Sequence, residues 1–462
     1  MNDPSATHSS APRPEPQPVL LYGGVVLTMN AEATVIPDAE VLIQHGRIAA
    51  LGRAITAPPG TRLVDVQGSF ILPGLIQGHV HLGQTFFRGL AERRPLMAWL
   101  RDRIWPLEAA HDEESAYWCT LLGASECLLN GTTTVQDIGI GPGARGLLQA
   151  LVESRLRAVA GKCLMDERAQ LPEGLAEDTD RALSDCEALG DAFDGAGDGR
   201  LRYAVNPRFI LSCSDTLWQG VRELADKRSW PVHTHALEQK EEGELIRSLK
   251  DGCDEIEYFE RHGVLDTDLR IAHGVWLNET HRQRVQGHRF SVVHCPGSNL
   301  KLGSGIADIA GLQSANIPVG LGCDGAACNN TLDAFQEIRL AAQLQSVKHG
   351  PDRFTGVDAL RLATSEGARA LGMQDEIGSI EIGKRADILV LDGDRAGLWS
   401  TPYADPHDLV AFGASGSFIK QVYIDGDLLV EDGKLTHLDF GRVKHQAYRT
   451  SRDLLTRSGL SF

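Results

Sequence analysis

Two histidines separated by one residue, His79 and His81, close an apolar run. On an extended strand residues i and i+2 share a face, so both imidazoles point the same way. The spacing returns at His233 and His235, and Glu238 follows three residues after His235. His273, His294 and Asp324 each stand at the end of a further apolar run. Imidazole nitrogens plus one carboxylate are what a catalytic zinc or similar divalent ion needs, with one position left open for water. Without an ion, buried neutral imidazoles would leave ring nitrogens in need of partners. The residue types therefore point to a catalytic metal centre, with Glu238 a further carboxylate close by in the sequence.

Such side chains work only if separate stretches of chain bring them together. Eight short apolar runs alternate with longer stretches of helical periodicity: FILPGLI, TTTVQDI, LRAVAGKCLM, LRYAVN, WPVHTHA, LRIAHGV, FSVVHCP and IPVGLGCD. Strand and helix in eightfold alternation is the pattern of an α/β (β/α)8 TIM barrel, whose active sites lie at the C-terminal ends of the strands. The candidate residues all fall there. Both flanks of this region are Gly-punctuated and strand-rich, as in VLLYGGVVLTM and IKQVYIDGDLLVEDGKL. They read as two parts of one small β-domain. The expected organisation is a disordered Pro- and Ser-rich tail (1–18), a first β part (19–67), the barrel (68–375), a second β part (376–439) and an amphipathic helical extension (440–462).

The chain has 462 residues and a net charge of −17, which disfavours nucleic acid or anionic membrane as a partner. No apolar run reaches the length of a membrane span. The nine cysteines are scattered without a CxxC pair, which suits reduced thiols in a cytoplasmic protein.

The stretches LPGLIQGHVHLGQTFFRGL, PLMAWLRDRIWPLE, NGTTTVQD, VHTHALEQKEE, HCPGSNLKLGSGIA, GCDGAACNN and IGSIEIGKRADILVLD resemble the amidohydrolase superfamily, specifically its metal-dependent deaminase branch. The resemblance runs from about Val19 to Leu435. It implies a composite β-sandwich built from both chain ends, a small heterocyclic substrate and a homo-oligomer. It also implies one divalent ion per chain, Zn2+ or Fe2+, held by His79, His81, His235 and Asp324. Glu238 corresponds to the acid/base carboxylate, His273 to the sixth-strand histidine beside the bound water, and Asp324 to a second proton acceptor. His233, one pleat before His235, reads as a supporting residue because the ligand set is already full. Two-metal members of the superfamily use a carboxylated lysine at the end of the third or fourth strand. Lys162 is read here as mid-strand and in a charged pair, so a mononuclear site is expected.

Substrate signals divide. Gln84, three residues after His81, and Arg208, in VNPRFILSCS, resemble the base-contacting residues of guanine deaminases. They favour a guanine-like purine whose ring amino group is replaced by a carbonyl with release of ammonia. PLMAWLRDRIWPLEA and DGAACNNTLDAFQEIRLAAQLQ instead resemble the adenosine-type deaminases acting on S-adenosylhomocysteine, methylthioadenosine or deoxyadenosine. Triazine hydrolases share the branch, and cyclic-amide hydrolases share the barrel. His294 and Asn299 are candidates for the pocket wall. Trp99 and Trp105 could stack on a flat ring or belong to the core.

Overall fold

The computed structural model describes residues 17–169 and 171–461. The expected tail thus lies almost entirely outside the described residues. Eight parallel strands form the barrel: Leu75–His81, Thr132–Asp137, Arg157–Ala160, Leu201–Tyr203, Val232–Ala236, Leu269–His273, Phe290–His294 and Val319–Leu321. Consecutive strands pair in parallel, with a single Val205–Val232 bridge joining the fourth to the fifth. The ring closes where Asp324–Gly325 pairs with Val80–His81 of the first strand. Asp324 is therefore delivered beside His81 by the hydrogen bonding that shuts the barrel. The strands are buried almost throughout, which is why they read as near-continuous apolar runs.

Two of the sequence runs are split. The run FILPGLI is not one strand. Ser69–Pro73 joins a nine-stranded sheet and only Leu75–His81 enters the barrel. Gly74 makes the join, because a Cβ there would lie 2.1 Å from the Thr133 hydroxyl. The barrel therefore begins after Gly74 and not at residue 68. The third run breaks after Ala160 and resumes at Cys163–Leu164, so Lys162 sits in the break and not within a strand. Its Nζ pairs with Glu177 at 2.7 Å and Asp185 at 3.4 Å.

Both chain ends meet in that nine-stranded sheet. Ser69–Pro73 pairs in parallel with Val19–Leu27 and antiparallel with Ile388–Asp392, and so splices the N-terminal strands to the C-terminal ones. Leu21, Val41, Ile71, Ile388, Val390 and Tyr423 form its separate apolar core. A buried ion-pair group clamps this domain to the base of the barrel. Arg157 binds Asp387 and Asp425, each at 2.7 Å, and Arg200 binds Asp425 at 2.9 Å and Asp427 at 2.7 Å. The final helix, Phe440–Ser458, buries Val443, Ala447, Thr450 and Leu454 at helical spacing and packs on the helix Glu113–Leu129. All nine cysteines are buried and free. No helix among the described residues is long and apolar enough to cross a membrane.

Candidate metal and substrate site

His79, His81, His235, His273 and Asp324 converge at the C-terminal mouth of the barrel. Two overlapping groups, His79 with His235 and His273, and His79 with His81 and Asp324, place their ligand atoms close enough to hold a metal ion. The Nε2 atoms of His79 and His81 each lie 3.3 Å from Asp324 Oδ1, and the Nε2 atoms of His81 and His235 are 3.1 Å apart.

The hydrogen bonds behind the cluster fix which ring nitrogens of His235, His233 and His79 carry protons. His235 Nδ1 donates to the Arg208 carbonyl at 2.6 Å, leaving Nε2 with its lone pair facing inward. His233 Nδ1 donates to the Arg270 carbonyl at 3.1 Å, so its Nε2 accepts from His79 Nδ1 at 2.8 Å. His79 Nε2 is then a lone pair, wholly buried and without a hydrogen-bond partner, pointed at an anionic carboxylate. Lone pair facing lone pair is repulsive unless a cation lies between them, so the donor set fits a divalent ion. Burial lowers the basicity of His79, His81 and His235, which keeps the rings neutral.

Glu238 follows the fifth strand and is almost completely buried. Burial pushes its carboxyl up, against an opposing pull from His273. Its Oε2 is 3.6 Å from His273 Nε2, and its Oε1 accepts from the Ser304 hydroxyl at 3.2 Å. His273 Nδ1 donates to Asn299 Oδ1 at 2.9 Å, and the Ser298 hydroxyl donates to Asp324 Oδ2 at 2.6 Å. Three residues here have left-handed backbone without being glycine: Leu237 (φ 57°) just before Glu238, His273 (φ 72°) and Asp324 (φ 59°). Such strain costs about 1–3 kcal/mol per residue and collects at functional sites.

A cavity lies over this cluster, with His81, His235, Glu238, His273 and Asp324 in its wall. Leu96, Trp99, Leu100, Phe209 and Leu302 give it an apolar wall facing the polar cluster. Trp99 thus reaches the pocket, whereas Trp105 is buried in the core. Both belong to the helical stretch Leu96–Ala109, which is loosened by a π turn at Leu100–Ile104.

Two residues assigned to the substrate by the sequence stand one layer back. Gln84 is fully buried behind His81, its Nε2 donating to Glu108 at 2.8 Å and lying 3.3 Å from His81 Nδ1. His294 is fully buried with neither ring nitrogen hydrogen-bonded, and it does not line the pocket. Arg208 does line the pocket, but its Nη1 is bound to Glu108 Oε2 at 2.6 Å. Glu108 is the residue that sequence reading missed. It is 1 % exposed and takes both donors expected for a purine. A lone carboxylate in the apolar stretch IWPLEA was the available signal. Ser298 and Ser304 carried none.

A model of the amidohydrolase family matches residues 70–429. A 5'-deoxyadenosine deaminase of Methanobrevibacter smithii is 34% identical over 417 residues, covering 90% of this chain and 93% of that protein. A 5-methylthioadenosine/S-adenosylhomocysteine deaminase of Pelotomaculum thermopropionicum is 32% identical over 447 residues, covering 95% and 99%. Among solved structures, an adenosine deaminase from Xanthomonas campestris with bound zinc superimposes with a TM-score of 0.88 at 32% identity, covering 96% of this chain and all of that one.

Proposed function

This chain belongs to the amidohydrolase family and is a metal-dependent hydrolase of C–N bonds, and we propose that its substrate is an adenosine-type nucleoside, of which 5'-deoxyadenosine, methylthioadenosine and S-adenosylhomocysteine are the candidates. The supporting observation is the near full-length similarity to deaminases of those nucleosides. The site geometry supports the same choice over a guanine-like base. Gln84, expected to contact an oxopurine, does not line the pocket and is spent on Glu108.

In this reading His79, His81, His235 and Asp324 hold one divalent ion, with zinc the ion proposed. When bound, the ion supplies a Lewis acid and a water acidified to near neutral pH. Glu238, its carboxyl pushed up by burial, would take a proton from the attacking water and pass it to a ring nitrogen of the purine. That protonation makes the carbon bearing the amino group electrophilic. His273, with Nδ1 committed to Asn299, presents Nε2 beside Glu238 and can hydrogen-bond to the oxygen added at that carbon. Asp324 helps return a proton to the departing nitrogen. Water adds, ammonia leaves and a ring carbonyl remains. The apolar wall of Leu96, Trp99, Leu100, Phe209 and Leu302 receives the uncharged part of the substrate and keeps solvent away.

The test is an ammonia-release screen of the purified protein over 5'-deoxyadenosine, methylthioadenosine, S-adenosylhomocysteine, adenosine and guanine. The expected result is a kcat/KM for at least one adenosine-type nucleoside that exceeds the value for guanine by about 100-fold or more, a difference worth about 2.7 kcal/mol of transition-state binding. A preference for guanine would overturn it.

A further inference from the structure

One buried carboxylate near the site has no part in the chemistry above. Glu337, in the first turn of the helix Ala334–His349, is 1 % exposed and has no salt bridge among the described residues. A carboxylate so placed is costly unless its oxygens are hydrogen-bonded. Its Oε2 accepts the backbone N–H of Gly297 at 2.8 Å, and its Oε1 accepts Asn329 Nδ2 at 2.9 Å. Asn329 Nδ2 also donates to the carbonyl of Cys323, immediately before Asp324, at 2.8 Å. Glu337 thereby links the loop after the seventh strand to the loop after the eighth.

The segment 297–304, the short helix Pro296–Lys301 and the residues that follow it, serves three site residues. Ser298 donates to Asp324, Asn299 accepts from His273, and Ser304 donates to Glu238. The Ser304 backbone N–H is itself held by the Asn299 carbonyl at 2.8 Å. A Cβ at Gly297 would lie 2.6 Å from Glu337 Oε1 and 2.8 Å from Asn329 Nδ2 and would press on both side chains.

We propose that Glu337 is a positioning residue for the deamination, holding the segment 297–304 in the register from which Ser298, Asn299 and Ser304 aim Asp324, His273 and Glu238. The inference rests on the roles given to those three residues above. A displacement of about 1 Å in such groups costs on the order of 100-fold in rate.

The test compares Glu337→Ala and Glu337→Gln in the full-length, zinc-loaded protein. The Gln variant keeps an oxygen for the Gly297 N–H but turns an amide toward Asn329 Nδ2, so half of the link survives. The expected result is a kcat reduced about 100-fold in Glu337→Ala and about 10-fold in Glu337→Gln, with KM within about threefold and metal content unchanged. The visible spectrum of the cobalt-loaded protein reads the ligand geometry with no substrate present. It should change in the Ala variant and lie in between for Gln. If Glu337→Ala does not fold, Gly297→Ala presses on the same segment from the other side and should give the same kcat loss and spectral change. A kcat within about threefold of wild type together with an unchanged cobalt spectrum would make Glu337 a structural brace and overturn the proposal. A raised KM at unchanged kcat would make it a substrate contact, with the same consequence. Should the wild type release ammonia from no aminopurine, the substrate reading fails while the cobalt spectra still decide the positioning role.

Discussion

Removing the Arg208 side chain would expose how much the layer beneath the pocket depends on one ion pair. Arg208 is 3 % exposed and Glu108 1 % exposed, and the contact between them is 2.6 Å. In Arg208→Ala the Glu108 carboxylate stays buried with only the Gln84 amide, at 2.8 Å, to satisfy it. Breaking a buried pair from one side costs about 3–5 kcal/mol. The remaining Gln84 bond places this case near the lower end, so we expect a loss of about 3 kcal/mol, or roughly 100-fold in the folding equilibrium. Guanidinium unfolding followed by tryptophan fluorescence would measure it. The double variant Glu108→Leu with Arg208→Met removes both charges and should recover to within about 1 kcal/mol of wild type. Metal should be retained, because His235 is held by the backbone carbonyl of residue 208 and not by its side chain. A loss below about 1 kcal/mol in Arg208→Ala, or a double variant as unstable as the single one, would refute the reasoning.

Glu238→Gln should keep its metal and lose about 100- to 10,000-fold in kcat, read as ammonia release beside metal analysis. His233→Ala removes the acceptor that sets the His79 proton. It should weaken metal binding about 10- to 100-fold in a chelator competition. The Glu337 carboxyl is pushed up to about 7, chiefly by burial and to a lesser degree by Asp324 and Asp333, against the bonds from Gly297 and Asn329. Between the ordinary glutamate value and about 7, the folded chain holds a proton that the unfolded chain releases. Stability from this group therefore falls as pH rises through that window, by up to about 1.4 kcal/mol per pH unit. The stability of Glu337→Gln relative to wild type should accordingly be more favourable at pH 8 than at pH 5. A difference that does not vary with pH would contradict the assignment.

The chemistry-bearing residues were legible because barrel topology is written locally. Most of the apolar runs predict a strand of their own, and a His or Asp at the end of one needs no distant information to be placed at the mouth. What could not be read depends on contacts across the fold. Gln84 sits three residues after His81, as a base contact would, but the helix carrying Glu108 packs on the turn Leu82–Phe87 and captures it. The same capture takes Arg208. The left-handed backbone at His273 and Asp324 leaves no trace in residue type, because neither is glycine. Ser298 and Ser304 look like ordinary loop residues until the segment that holds them is seen against Asp324 and Glu238. At Gly74 the chain passes from one sheet to another within a single apolar run, and hydrophobicity alone cannot mark that change.

Stepwise return of zinc to chelator-stripped protein, with ammonia release from 5'-deoxyadenosine or a related nucleoside measured at each step, addresses the central claim most directly. Histidines at 79, 81 and 235 and the carboxylate at 324 holding one ion predict activity that climbs in proportion to added zinc and levels off at about one equivalent per chain. Activity that survives complete removal of metal, or that appears only near two equivalents, would contradict the account.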